Sequence, residues 1–129
     1  MRKPILCLDF DGVLHSYASG WQGADVIPDP PVPGALEFVR RATQVFDVHV
    51  YSARSAQPGG VGAMRAWLAH WAERELPSGT DLGFLDLIAW PAAKPNAHVT
   101  LDDRAVTFTG EWPSLEALLA FRPWHKPAR

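Results

Sequence analysis

The chain has 129 residues, 47% of them hydrophobic and 20% charged, with 12 Lys and Arg against 14 Asp and Glu for a formal charge of −2. That length suits one domain able to bury its own core, and the near-balance of charge excludes a disordered tail, a polybasic arm or tight non-specific binding to nucleic acid. No apolar run reaches the roughly 20 residues of a membrane span, and the lone Cys7 supplies neither an internal disulfide nor a zinc thiolate set, so a soluble cytoplasmic protein without membrane partners is expected.

Four apolar runs are expected as strands: Ile5 to Asp9, Val48 to Ser52, Asp86 to Trp90 and His98 to Asp102. Cys7, in the first, reads as a small buried hydrophobe. Between that strand and the second, Gly34 to Phe46 is predicted helical, with Leu36, Phe38, Val39, Ala42 and Val45 on one stripe. After Ser52, Gly59, Gly60 and Gly62 lead into a second helix carrying Met64, Trp67, Leu68 and Trp71, which Leu76-Pro77 stops. Ser114 is placed as the cap of a last short helix with Leu115, Leu118, Leu119 and Phe121. The stretch from about 15 to 33 is expected as a short hairpin flap turning at Gly20 and Gly23, followed by a stiff proline-rich connector. Strands alternating with helices predict one α/β domain over 1–129, a three-layer Rossmann-like fold with a central parallel sheet flanked by helices. In such sheets the ligand crevice lies beyond the carboxyl ends of the strands, where Asp9, Ser52 and Asp102 sit.

The string LDFDGVL (Leu8 to Leu14) closes the first strand with two carboxylates two residues apart, and Gly12 lets the backbone turn so that both face one pocket. No further acids follow at calcium-loop spacing. Taken with YSARS (Tyr51 to Ser55), Lys94-Pro95 and LDDRA (Leu101 to Ala105), the string resembles the four ordered motifs of the haloacid dehalogenase-like (HAD) phosphohydrolase superfamily over residues 5 to 108. Within it, the Ser52-x-Arg54 form and the LDDR string are similar to the 5′-deoxyribonucleotidases and the phosphatase domains of polynucleotide kinases.

The resemblance implies a Mg²⁺-dependent phosphomonoester hydrolase that forms an aspartyl-phosphate. It makes Asp9 the nucleophile, Asp11 the general acid and base, and Ser52 and Lys94 donors to the phosphate. Gly12, Ala53 and Arg54 complete the substrate contacts. The metal set is Asp9, Asp11 through its main-chain carbonyl, and Asp103, with Asp102 in the outer shell or sharing the task. The chemistry suits those residue types, because an anionic nucleophile approaches a phosphate dianion only where cations and hydrogen-bond donors screen the repulsion. Arg54 either forks onto a second phosphate, stacks on a base or pins a loop.

His15, Tyr17 and Trp21 are expected to pack the flap more than to stack on a substrate. His49 and His98 are expected as satisfied core histidines, and Trp67, Trp71, Trp90, Trp112 and Trp124 as core or rim packing. No window is long enough for a cap domain. An uncapped crevice suits a nucleotide-like substrate or a nucleic-acid terminal phosphate, or closure by a second subunit. The alternative is a catalytically weak phosphate- or Mg²⁺-binding regulatory or protein-interaction domain.

Overall fold

A computed structural model describes residues 2–126; positions 1 and 127–129 of the expected 1–129 domain lie outside the described residues. Strands β1 (Ile5–Leu8), β2 (Asp47–Val50) and β3 (Val99–Leu101) form a parallel sheet in the order β2-β1-β3. Register pairs Leu6 with Val48 and Val99, and Leu8 with Val50 and Leu101. Alternation therefore puts these residues on one face and Cys7, His49 and Thr100 on the other. The central strand is buried on both faces, as parallel sheets require: Leu6, Cys7 and Leu8 are at most 3% exposed.

Helices α1 (Ala35–Ala42) and α2 (Gly60–Glu75) pack against each other, α1 also against β2, and they cover the face carrying Leu6, Leu8, Val48 and Val50. Helix α2 buries Met64, Trp67 and Leu68 as expected, but its fourth fully buried position is Ala72, with the expected Trp71 only partly buried beside it. It stops at Leu76, whose extended backbone follows from the proline after it. In α1 the buried stripe is narrower than expected. Leu36, Val39 and Ala42 point inward, whereas Phe38, about 200° round the helix from Leu36, is half exposed, and Val45 lies beyond the helix end in solvent.

Further expectations are corrected. The run from Asp86 to Trp90 is not a strand. Residues Leu82–Leu87 wind into a 3₁₀ turn capped by Asp81, and only Ala89 pairs with β2, exchanging hydrogen bonds with Val48 and Val50. From there residues 90–98 return to β3 without a helix, so the expected second helical layer is not formed among the described residues. The flap is hairpin-like only at its base, where Ser16 N–H donates to Pro30 and Val32 N–H to Leu14; its tip is an irregular loop. Helix α3 (Leu115–Leu119) has its expected cap, Ser114 Oγ accepting from Ala117 N–H, yet none of its residues is buried. Trp112 is exposed, contrary to its expected core or rim packing, and His98 is exposed, contrary to its expected core placement, whereas Trp124 packs at the rim as expected, donating to the Gly12 carbonyl. His49 is largely buried, with Nε2 3.2 Å from Asp47 but Nδ1 unpaired. No helix of the described residues is long and apolar enough to cross a membrane.

Two glycines at the head of α2 give a stability test. A Cβ at Gly60 would overlap the Arg54 carbonyl, whereas one at Gly62 meets nothing within 4 Å. Gly60→Ala should cost about 1–3 kcal/mol of overpacking in urea denaturation, and Gly62→Ala should be neutral or stabilise by up to about 1 kcal/mol. Equal effects would contradict the close approach at Gly60.

Candidate functional site

The sheet pairing continues one residue past each strand, which is what assembles the site. Asp9 N–H donates to the Leu101 carbonyl and Tyr51 N–H to the Leu8 carbonyl, so the residues leaving the three strands emerge side by side. Carboxylate oxygens of Asp9, Asp102 and Asp103 lie within 4.8 Å of one another. Asp103 is nearly buried, with a 3% exposed side chain, while Asp102 is exposed and accepts from Arg104 N–H. Asp9 accepts from Phe10 N–H at 2.8 Å.

This crowding sets the electrostatics. Burial, then the shared proton with Asp103 and the charge of Asp102, pushes the Asp9 carboxyl up to about 8. Burial also works to raise Asp103, but hydrogen bonds from Asp9 and His125 outweigh it and hold that carboxyl below the ordinary range. Three carboxylate oxygens within 4.8 Å of one another could share a hard, oxygen-loving cation. The cluster alone does not distinguish Mg²⁺ from other hard cations.

Asp11 belongs to a different constellation. Its carboxylate is turned toward Arg54, whose Nε lies 3.0 Å from Oδ2 and whose Nη2 lies 3.1 Å from Oδ1. His15 closes the other side: Asp29 N–H donates to Nε2, which leaves the ring proton on Nδ1 to be donated to Asp11 at 2.9 Å. Burial raises the Asp11 carboxyl, but the His15 and Arg54 hydrogen bonds and the Arg54 charge overcome it and hold Asp11 below its ordinary value. Of the readings open for Arg54, loop pinning is the one realised. It is fully buried, its Nη1 donates to the carbonyls of Gly23, Ala24 and Val26 at 2.8–3.1 Å, and Trp21 stacks 4.8 Å from its Cζ. No face of Arg54 is left for a substrate in this state.

Tyr17 meets His15 and His125 edge-on and Trp21 lies over Arg54, so they hold the flap to the domain as expected, while His15 is fully buried against Phe10 and Trp67. Ser52 is buried; its Oγ accepts from Arg54 N–H and donates to Met64 Sδ at 3.6 Å, a weak acceptor it can leave. Gly12 has both backbone groups occupied, its N–H by His15 and its carbonyl by Trp124. Ala53 is exposed on the turn. Lys94 is exposed and joins none of the site's ion pairs among the described residues, although its charge is felt at Cys7.

Two residues escaped the sequence reading as members of the site. Trp124 Nε1 donates to the Gly12 carbonyl at 2.8 Å, and His125 Nε2 donates to Asp103 Oδ2 at 2.7 Å. A histidine beside a tryptophan near the chain's end carries no local signal of this. Only the left-handed Gly12, φ 81°, hints that something presses on that turn.

Two tests follow. Folded Asp9 keeps a proton up to about pH 8 that the unfolded chain loses near 3.8, so the folded state binds more protons between those values and stability falls as pH rises through that window. Metal-free protein should therefore have a lower urea midpoint at pH 9 than at pH 6, and Asp9→Asn should flatten that difference. An equal decline in Asp9→Asn excludes Asp9 as its source. Separately, Arg54→Ala leaves Asp11 and three carbonyls without their donor and should lower stability by about 3 kcal/mol or more; a loss under about 1 kcal/mol contradicts the pinning role.

Compared with protein-family models, with curated proteins and with solved structures, the chain matches none, so the reading of this site rests on its own sequence and geometry.

Proposed function

We propose that the chain is a Mg²⁺-dependent phosphomonoester hydrolase of HAD-like, Rossmann-type architecture, working through an aspartyl-phosphate on Asp9. The observation that carries this reading is the gathering of Asp9, Asp102 and Asp103 within 4.8 Å at the ends of two adjacent strands, next to a separately held Asp11. The motif resemblance supports it independently.

Asp9, Asp102 and Asp103 would hold the cation, which supplies charge neutralisation for nucleophile and phosphate when bound. Asp9 gives up its proton when the cation binds. Its carboxylate then attacks phosphorus as the bond to the leaving oxygen breaks, and that oxygen takes the proton of a protonated Asp11, leaving Asp11 as carboxylate. Water next attacks the phosphoaspartate, the P–O bond to Asp9 breaks, and inorganic phosphate leaves. An Asp11 held ionised by Arg54 and His15 suits this second step, where a base takes the proton from water. To act as acid in the first step it has to part from Arg54. Ser52 reaches a phosphate oxygen by turning its hydroxyl from Met64, and Lys94 by swinging in from solvent. With no inserted cap domain, a nucleotide-like substrate or nucleic-acid terminal phosphate in the cytoplasm is the favoured class.

A second reading, a phosphate- or Mg²⁺-binding regulatory or protein-interaction domain, draws on Trp112, Leu115 and Leu119, each at least 77% exposed. Hydrolysis of p-nitrophenyl phosphate separates the two. Wild type should turn over with Mg²⁺ and stop with chelator, and Asp9→Asn should lose a factor on the order of 10³ or more. Mg²⁺-dependent turnover in Asp9→Asn within tenfold of wild type removes Asp9 as nucleophile; a wild type inert toward this ester, mononucleotides and 3′-phosphorylated oligonucleotides favours the second reading.

A further inference from the structure

After Asp103 the chain leaves the interior: residues 104–122 are exposed throughout, including every residue of α3. It returns only at Pro123, which is buried, and at His125, whose side chain is 7% exposed. Nothing in the intervening stretch pulls it back, because α3 buries no residue. What holds the return is the site itself. Trp124 Nε1 donates to the Gly12 carbonyl, His125 Nε2 donates to Asp103 Oδ2, and the His125 ring meets Tyr17 edge-on at 5.9 Å.

Gly12 is shaped to this contact. A Cβ there would stand 2.6 Å from His125 Nε2 and 2.5 Å from Asp103 Oδ2, and φ is 81°, so glycine is the residue that lets the imidazole and the carboxylate meet over the turn. The segment and the turn beneath it fit each other across more than a hundred residues of chain.

We propose that residues 123–126 form a strap over the metal end of the site, and that His125 is a positioning residue for Asp103, fixing its carboxylate so that the oxygen not taken by the imidazole faces Asp9 and the cation. This rests on the metal-site reading above. A carboxylate already held by a neighbouring N–H loses less freedom when it takes a cation, and partners of this kind are commonly worth 10–100-fold in metal affinity.

The test is calorimetric titration of Mn²⁺ into the full chain. His125→Ala should weaken binding by roughly 10–100-fold. His125→Gln, whose side-chain N–H can stand where Nε2–H stood, should recover most of the loss. Thermal melts of the metal-free variants check that each folds. Should His125→Ala fail that check, Trp124→Phe takes its place: it keeps an aromatic ring, removes the donor to Gly12 and should weaken Mn²⁺ binding measurably. Equal affinity in wild type and His125→Ala, equal loss in the Ala and Gln variants, or an unaffected Trp124→Phe where it is the variant used, overturns the positioning role and leaves the metal site standing. A wild type that binds no Mn²⁺ overturns both.

Discussion

Mutual repulsion among three carboxylates is the constraint around which the rest of the molecule is arranged. Parallel pairing of β1 with β3 continues to Asp9, so the register that buries Leu8 beside Leu101 also delivers Asp9 next to Asp102 and Asp103. Like charges this close, partly withdrawn from water, cannot all stay ionised unaided. The fold answers with a proton kept on Asp9 and an imidazole N–H given to Asp103. A hard divalent cation, if one binds, would relieve all three groups together. The hydrophobic core accounts for the sheet, but not for acids at the exits of two neighbouring strands. Their cost is hard to explain unless the repulsion is used.

What was legible in the sequence followed from local period and end signals. Leu6 and Leu8 alternate, Met64, Trp67 and Leu68 keep helical spacing, and Ser114 caps a turn; each is decided within a few residues. The acidic cluster was legible because strand ends in a parallel sheet share one edge. Failures came where the deciding partner is distant or missing. Phe38 and Leu115 look like core residues in any window, yet Phe38 stays half exposed and Leu115 largely exposed, so much of their apolar surface stays in water. Asp86 to Trp90 has strand composition, yet Asp81 captures the Gly83 amide and winds the chain into a 3₁₀ turn before pairing can extend. His125 was invisible because its partner is 22 residues away, and Trp124 meets Gly12 across 112.

Both coverings of the strand ends are loops without regular structure, and both are held by polar bonds to the site. The stretch from 15 to 33 is tied down by Arg54 through three carbonyls, by Trp67 Nε1 on the Asp29 carbonyl and by His15 between Asp11 and Asp29. The C-terminal segment is tied by Trp124 and His125. Loops anchored by charged or polar groups of a site respond to whatever changes those groups. Protonation of Asp11, or displacement of its carboxylate from Arg54, would loosen one covering without touching the core. The two coverings grip different aspartates, so each can respond to its own carboxylate.

That separation gives two acids two residues apart opposite characters. Asp9 faces Asp102 and Asp103, and its charge is disfavoured; Asp11 faces Arg54 and His15, and its charge is favoured. Phe10 between them is fully buried against His15 and Trp67, which keeps the two carboxylates on their separate sides of the turn. Neighbouring titratable groups driven apart by their surroundings are how one site holds a nucleophile and a proton-transfer group at the same pH. Here the split is made by partners from different parts of the chain: an arginine after β2 for Asp11, and a carboxylate after β3 for Asp9. A mere surface turn capped by two aspartates would need neither, and it would have no reason to bury an arginine to hold one of them.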